Sequence, residues 1–308
     1  MNRSVIPVLV GAALAVLGFD APSGGRDAPS PAMEERIVFH SDAAGNAEIY
    51  SMRPDGSDVR RLTHHPAQDS CPVISPDGRK IAFLSDRDGN DEIYVCDPDG
   101  SDPVRLTCTP YSEGPPRWSP DGLKIISWVV GPADAAEGNI FVISAGGTGL
   151  RWLTGIETAG SSPDISPDGR RIVFSARREG RFQLWLMDAQ GSGLRPLTVS
   201  AGDKLLARWS PRGDRLTYTE VIDFRNSRTR VHVMNADGGG DRVVADKGVV
   251  NEDSSWSPDG RKLVFQTSRD GNYEIYAADA DGRNPVRLTR TPAMENFPNW
   301  GRVLLPAN

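Results

Sequence analysis

Cysteine and histidine are scarce in this chain, three of one and four of the other in 308 residues. Cys71, Cys96 and Cys108 fall in one short stretch and match no metal-ligand spacing. In an oxidising compartment two of them could pair, with the choice of pair left open; a structural or incidental role is expected for all three. His64 and His65 are adjacent on a loop with no third ligand beside them, and His40 and His232 stand far off in sequence, so no metal site is expected. There is no phosphate loop, dinucleotide fingerprint or Gly-x-Ser-x-Gly elbow. Spacing pairs no nucleophile with a base. No catalytic residue and no cofactor is expected, although an active site scattered over several segments stays open.

Long apolar runs are missing too. The longest, Val5–Gly18, is 14 residues, too short to span a bilayer and the right size for a signal-peptide core behind the basic start at Arg3. A signal peptide is expected over 1–21, with an uncleaved anchor as the alternative. A Pro-, Gly-, Ala- and Ser-rich linker follows over 22–35. No membrane segment is expected after signal removal, and the location is read as periplasmic or secreted. The formal net charge of −6 gives no reason to bind nucleic acid or an anionic membrane. Helical periodicity is absent throughout.

What the chain does have is a repeat. Ser-Pro-Asp-Gly stands at Ser75–Gly78, Ser119–Gly122, Ser166–Gly169 and Ser257–Gly260, with a degenerate Ser-Pro-Arg-Gly at Ser210–Gly213. The copies are 44, 47, 44 and 47 residues apart, a period that means stacked supersecondary units. Each is followed by an alternating run such as Lys80–Ser85, then Glu92–Cys96, then Val104–Thr107, separated by Asp/Gly/Pro turns. Four short strands per repeat make the blade of a β-propeller, so an all-β, six-bladed propeller over 36–301 is expected, with a tail over 302–308. The Asp of the tetrapeptide is read as a turn former, because Gly213 persists where Arg212 replaces it. The first repeat lacks its tetrapeptide strand, and Asn296–Gly301 resembles that strand. Trp300 follows Leu288 by 12 residues, as Trp118 follows Leu106. The last strand should therefore complete the first blade.

Spacing also locates divergence. From the Leu or Val of each Arg-Leu-Thr position to the next apolar start is 19 residues in all five cases. Within a blade the interval is 25, but 28 in blades three (Ile125 to Leu153) and five (Leu216 to Val244). The insertions fall between the second and third strands, at Val130–Gly138 and Val221–Thr229, and loops of this kind carry function. Asp223, Phe224, Arg225 and Arg228 are candidate binding residues. The same face should carry the residue five before each Trp-type position: Asp69, Glu113, Gly160, Lys204, Asn251 and Glu295. They are expected to rim the central channel as a polar funnel for a cation, a sugar or a peptide, or else to cap loop amides. The loops at Asp86–Glu92 and Ser268–Glu274 look like calcium-loop fragments but lack the terminal bidentate Glu, and a tight hairpin needs Asp-Gly-Asn in any case.

The succession Ile-Ala-Phe-x-Ser, Glu-Ile-Tyr, Asp-x-Asp-Gly, Arg-Leu-Thr and Pro-x-Trp-Ser-Pro-Asp-Gly resembles the TolB-type, WD40-like propeller repeat over about residues 36–301. That resemblance implies export and a periplasmic protein-binding platform of the kind that engages peptidoglycan-associated lipoprotein. Only a short tether precedes residue 36, so contacts made by an α/β domain ahead of the propeller are not expected. The leading expectation is a monomeric, non-enzymatic module that binds a protein or peptide in the envelope. The alternative is a carbohydrate-active lyase or hydrolase with its site in the channel, since oligogalacturonate lyases carry similar repeats.

Overall fold

The computed structural model describes residues 33–129, 138–155 and 160–304. The expected signal peptide, linker residues 22–32 and almost all of the insertion at Val130–Gly138 lie outside the described residues. Those described form six four-stranded antiparallel sheets and no helix. Blade two shows the pattern, with strands Asp69–Ile74, Ile81–Ser85, Glu92–Cys96 and Val104–Arg105 in that spatial order. Every residue of its two middle strands is buried, because each blade packs both faces against neighbours. The first strands of successive blades touch one another around the whole circle. They are the innermost strands and surround a channel.

The repeat signature is explained by local bonding. In blades one, two and six the Glu of Glu-Ile-Tyr is fully buried. It accepts from the Arg of Arg-Leu-Thr at 2.7 Å (Glu48–Arg61), 2.6 Å (Glu92–Arg105) and 2.6 Å (Glu274–Arg287). The Thr of the same tripeptide accepts the N–H of the residue after that Glu, as in Ile93 N to Thr107 Oγ1 at 2.8 Å. Thus a charge and the backbone around it are satisfied together, as burial demands. At the tetrapeptide, Ser75 Oγ donates to Asp77 Oδ1 at 2.7 Å while Gly78 takes φ +69°. In the degenerate copy Asp214 supplies the missing acceptor to Ser210 at 2.8 Å. The carboxylate requirement is therefore kept, from a different position.

The C-terminal strand Glu295–Leu304 pairs antiparallel with Met33–Ser41 and completes blade one. Pairing runs from Met33↔Leu304 to Ser41↔Glu295, three residues beyond the expected limits 36 and 301 at each end. Trp300 is buried here with Ile37, Phe39 and Met52 of blade one and Val264 and Ile275 of blade six, so one indole seals the seam between the chain's two ends. All three thiols are free. Cys71 and Cys96 are buried and burial pushes each up to about 12, which makes them inert apolar side chains.

Candidate functional site

Two faces are defined by connectivity. Tetrapeptide hairpins and the turns between strands three and four lie on one, the hairpin face. The loops between strands two and three and the links between blades lie on the other, the link face.

On the link face, the residues expected to rim the channel are inside the protein. Asp69 is fully buried, and its two carboxylate oxygens accept from Arg87 Nη2 at 2.9 Å each. That guanidinium in turn sits over the Tyr94 ring, 4.5 Å from its centroid. Glu113 accepts from Thr109 at 2.7 Å and Thr107 at 3.1 Å. Burial and the adjacent Glu92 push its carboxyl up to about 8, against those hydroxyls. Glu295, buried, accepts from Ser41 and Thr291, and burial together with the charge of Glu274 raises it to about 7. Asn251 bonds Thr229 and Thr267, Lys204 Nζ donates to the Ala201 carbonyl at 3.1 Å, and a side chain at Gly160 would collide with Phe174. The expected funnel is thus a set of clasps between an inner strand and the loops above it. The reason is that these side chains find partners on neighbouring segments, one oxygen of Glu295 excepted.

The loops that resembled calcium-loop fragments are latches. Asp86 accepts the Gln68 N–H at 2.8 Å, Asp88 accepts the Tyr94 hydroxyl, and Asn90 donates to the Tyr111 carbonyl at 2.6 Å. Among the described residues no three His, Cys, Asp or Glu side chains are placed to share a metal ion.

What stands free on the link face is the long hairpin of blade five, formed by strands Arg215–Asp223 and Arg228–Asn235. Asp223 caps its turn, accepting from Arg225 N at 2.9 Å and Asn226 Nδ2 at 2.7 Å. The tip presents Phe224, 60% exposed, with Ile222, Arg225 and Arg228 exposed beside it. Its base is pinned to the next link by Thr229 N donating to the Val249 carbonyl at 3.0 Å, and Val249 is also exposed. Asp223, Phe224, Arg225 and Arg228 are thus together on one element, 18 or more residues from any rim position in sequence and separate from the clasps.

On the hairpin face the channel opens into a cavity of about 460 Å³. Its lining includes the column one residue before each Trp-type position, Val73, Arg117, Asp164, Arg208, Ser255 and Asn299, five of them polar or charged, together with Ser75 and Arg302. Three of these stitch the ring, each accepting a backbone N–H from the next blade: Asp164 from Trp209 at 2.8 Å, Ser255 from Trp300 at 3.3 Å and Asn299 from Ile74 at 3.0 Å. The sequence reading missed this column. The signal was available, because a residue next to an inward-packed Trp must face the opposite way in a strand.

A family model described as the TolB beta propeller domain matches residues 108–304, and one described as the Tricorn protease N-terminal beta propeller domain matches residues 33–129. An uncharacterised protein of Agrobacterium fabrum is 34% identical over 122 residues, 37% of this chain and 41% of that protein. A protein TolB homolog of Chlorobaculum tepidum is 31% identical over 122 residues, 40% of this chain and 27% of that protein. The chain therefore covers well under two thirds of either relative. Crystalline TolB from Acinetobacter baumannii superposes with a TM-score of 0.75 at 19% identity, over 86% of this chain and 66% of that one. At that identity the likeness is one of fold.

Proposed function

The chain belongs to the TolB beta propeller domain family, and from that premise we propose that it is an exported, non-enzymatic propeller that binds a protein partner on its link face. The observation that carries this is the blade-five hairpin, an element with a capped turn, an exposed aromatic tip and two exposed flanking arginines, of which Arg228 also lies 3.9 Å from Asp246. Aromatic residues, Phe among them, and Arg are enriched at protein interfaces, and Arg is among the residues that carry most of the binding energy there. Arg225 and Arg228 on an acidic chain suit an acidic partner surface. Family membership and the apolar N-terminal run support a periplasmic or envelope location. The alternative of a polysaccharide lyase or hydrolase in the channel has the weaker support, from distant likeness of fold alone: the histidines are dispersed, and none lies in the cavity lining.

A photo-crosslinking residue in place of Phe224, expressed in the native envelope, tests this reading. A discrete adduct is expected that is lost with Arg225→Glu/Arg228→Glu and absent when the probe replaces Arg79 on the hairpin face. The same adducts from both positions, or none from Phe224, would refute it.

A further inference from the structure

Besides Arg302, which pairs with Glu35 at 3.5 Å, the channel cavity on the hairpin face is lined by two guanidinium groups, Arg117 and Arg208, whose opposite charges nearby are Asp164 and Asp253. Arg208 is 7% exposed, and its Nη1 donates to two carbonyls, Ala207 at 2.8 Å and Ser162 at 3.4 Å. Arg117 is half-buried, with Nη1 on the Pro116 carbonyl at 2.9 Å and Nε buried without any acceptor. Among the described residues neither makes an ion pair. Asp164, between them around the ring, spends an oxygen on Trp209 N. Asp253 lies deeper in the channel, where burial and the neighbouring Glu252 push its carboxyl up to about 7 while Arg208 and Arg117 pull it down. Burial, and then the charge of Arg117, hold Arg208 down to about 9. A buried Arg208 whose charge is disfavoured by burial and by the half-buried Arg117 carries an energetic cost that a bound anion lowers.

Beside these polar groups, the wall of the same cavity carries a set of indoles and prolines. Trp118, Trp209, Trp256 and Trp300 line it below a collar of the tetrapeptide prolines. Two of these indoles are locked by hydrogen bonds to the preceding blade, Trp118 to the Val73 carbonyl and Trp256 to the Arg208 carbonyl, both at 3.2 Å. A concave, preformed, largely apolar pocket with a few convergent polar groups is the form of a small-ligand site. Planar guanidinium forks select carboxylate geometry.

We propose that this cavity binds a carboxylate carried on a compact apolar body, with Arg117 and Arg208 holding the carboxylate and the tryptophan collar holding the body. Two sources share that chemistry, a free small carboxylic acid and the C-terminal residue of a peptide. The site is on the face opposite the blade-five hairpin, so it stands or falls independently of the protein-binding reading.

The four indoles make intrinsic fluorescence the direct readout on the full chain. N-acetyl-phenylalanine, its amide, inorganic phosphate and a short peptide ending in free phenylalanine are titrated in parallel. The free acid is expected to bind at millimolar concentration or better. The amide should bind at least about tenfold more weakly, as expected for loss of a charge-assisted bidentate contact. Arg208→Gln and Arg117→Gln should each weaken the acid by a similar factor, and Arg208→Lys should fall between. If the glutamine variants do not fold, the acid-against-amide comparison on the unaltered chain still decides. A peptide that binds more tightly than the free acid assigns the site to chain termini; equal or weaker binding assigns it to small acids. Absence of any acid binding, indifference to amidation, or phosphate binding as tightly as the acid would overturn the proposal.

Discussion

Replacing Glu295 by Gln should stabilise this protein at alkaline pH and leave it unchanged at acid pH. Glu295 is 2% exposed. One oxygen accepts from Ser41 and Thr291, and the other is buried with no partner. Burial first, and the nearby charge of Glu274 after it, raise the carboxyl from 4.5 to about 7. A carboxyl whose folded value lies above its unfolded one holds its proton longer in the folded state. Its stabilising contribution is complete below the unfolded value and is lost as pH rises through about 7. At about 1.4 kcal/mol per pH unit, the loss between pH 5 and pH 8 comes to roughly 2 to 3 kcal/mol.

Gln is the neutral isostere: its oxygen keeps both hydroxyl donors, and its NH₂ takes the place of the unpartnered oxygen. Urea unfolding of both proteins at pH 5 and pH 8 isolates the effect, since every other titration cancels in the difference. The stability gap should move by roughly 2 to 3 kcal/mol in favour of the variant at the higher pH. A gap that stays constant between the two pH values would refute the assignment of a raised carboxyl. Glu113, pushed up in the same direction by burial and Glu92, should give a Gln variant of the same sign. The two lie at different blade junctions, so their effects should add.

The other predictions concern the scaffold. Trp300→Ala removes the indole that joins the closing strand to blades one and six, and thermal or urea unfolding should show a loss of about 3 to 5 kcal/mol. Asp214→Ala should cost about 1 kcal/mol by leaving the Ser210 hydroxyl unpaired, and adding Arg212→Asp should restore it, because the regular tetrapeptide acceptor then returns. Gly100→Ala places a Cβ at 2.0 Å from the Leu62 carbonyl oxygen at φ +88°, so it should destabilise by well over about 1 kcal/mol in the same assay.

The fold could be read from the chain because its evidence is one-dimensional. A fixed period, turn tetrapeptides and alternating strands each report the local backbone, and the missing first tetrapeptide with the spare last strand reports closure. The hairpin of blade five was legible for the same reason, as a three-residue excess in one interval. The rim was not. Reading Asp69, Glu113 and Glu295 as channel-facing required knowing where Arg87, Thr109 and Thr291 end up, and those partners come from loops 4 to 18 residues away whose fold-back leaves no mark in spacing. Bulges in the inner strands add to the difficulty: Cys71, Ser162, Leu206, Asp253 and Phe297 all take φ near +50°, which breaks the simple alternation between channel and blade.

The ring is also chemically uneven, and the unevenness has a direction. Blades six, one and two carry the complete Glu–Arg–Thr clasp, and they are the blades that the closing strand joins. In blades three, four and five the Glu position is Asn139, Gln183 and Arg230. In the half of the ring formed by blades six, one and two, the buried Glu ties the third and fourth strands of its own blade together, next to the seam where an opening would expose sheet edges. The other half differs from it in length and in charge. It carries both insertions, and its inner strands bring Arg117, Asp164 and Arg208 to the channel mouth. Both candidate surfaces, the hairpin and the arginine pair, thus belong to the blades farthest from the seam, which lack the Glu–Arg–Thr clasp.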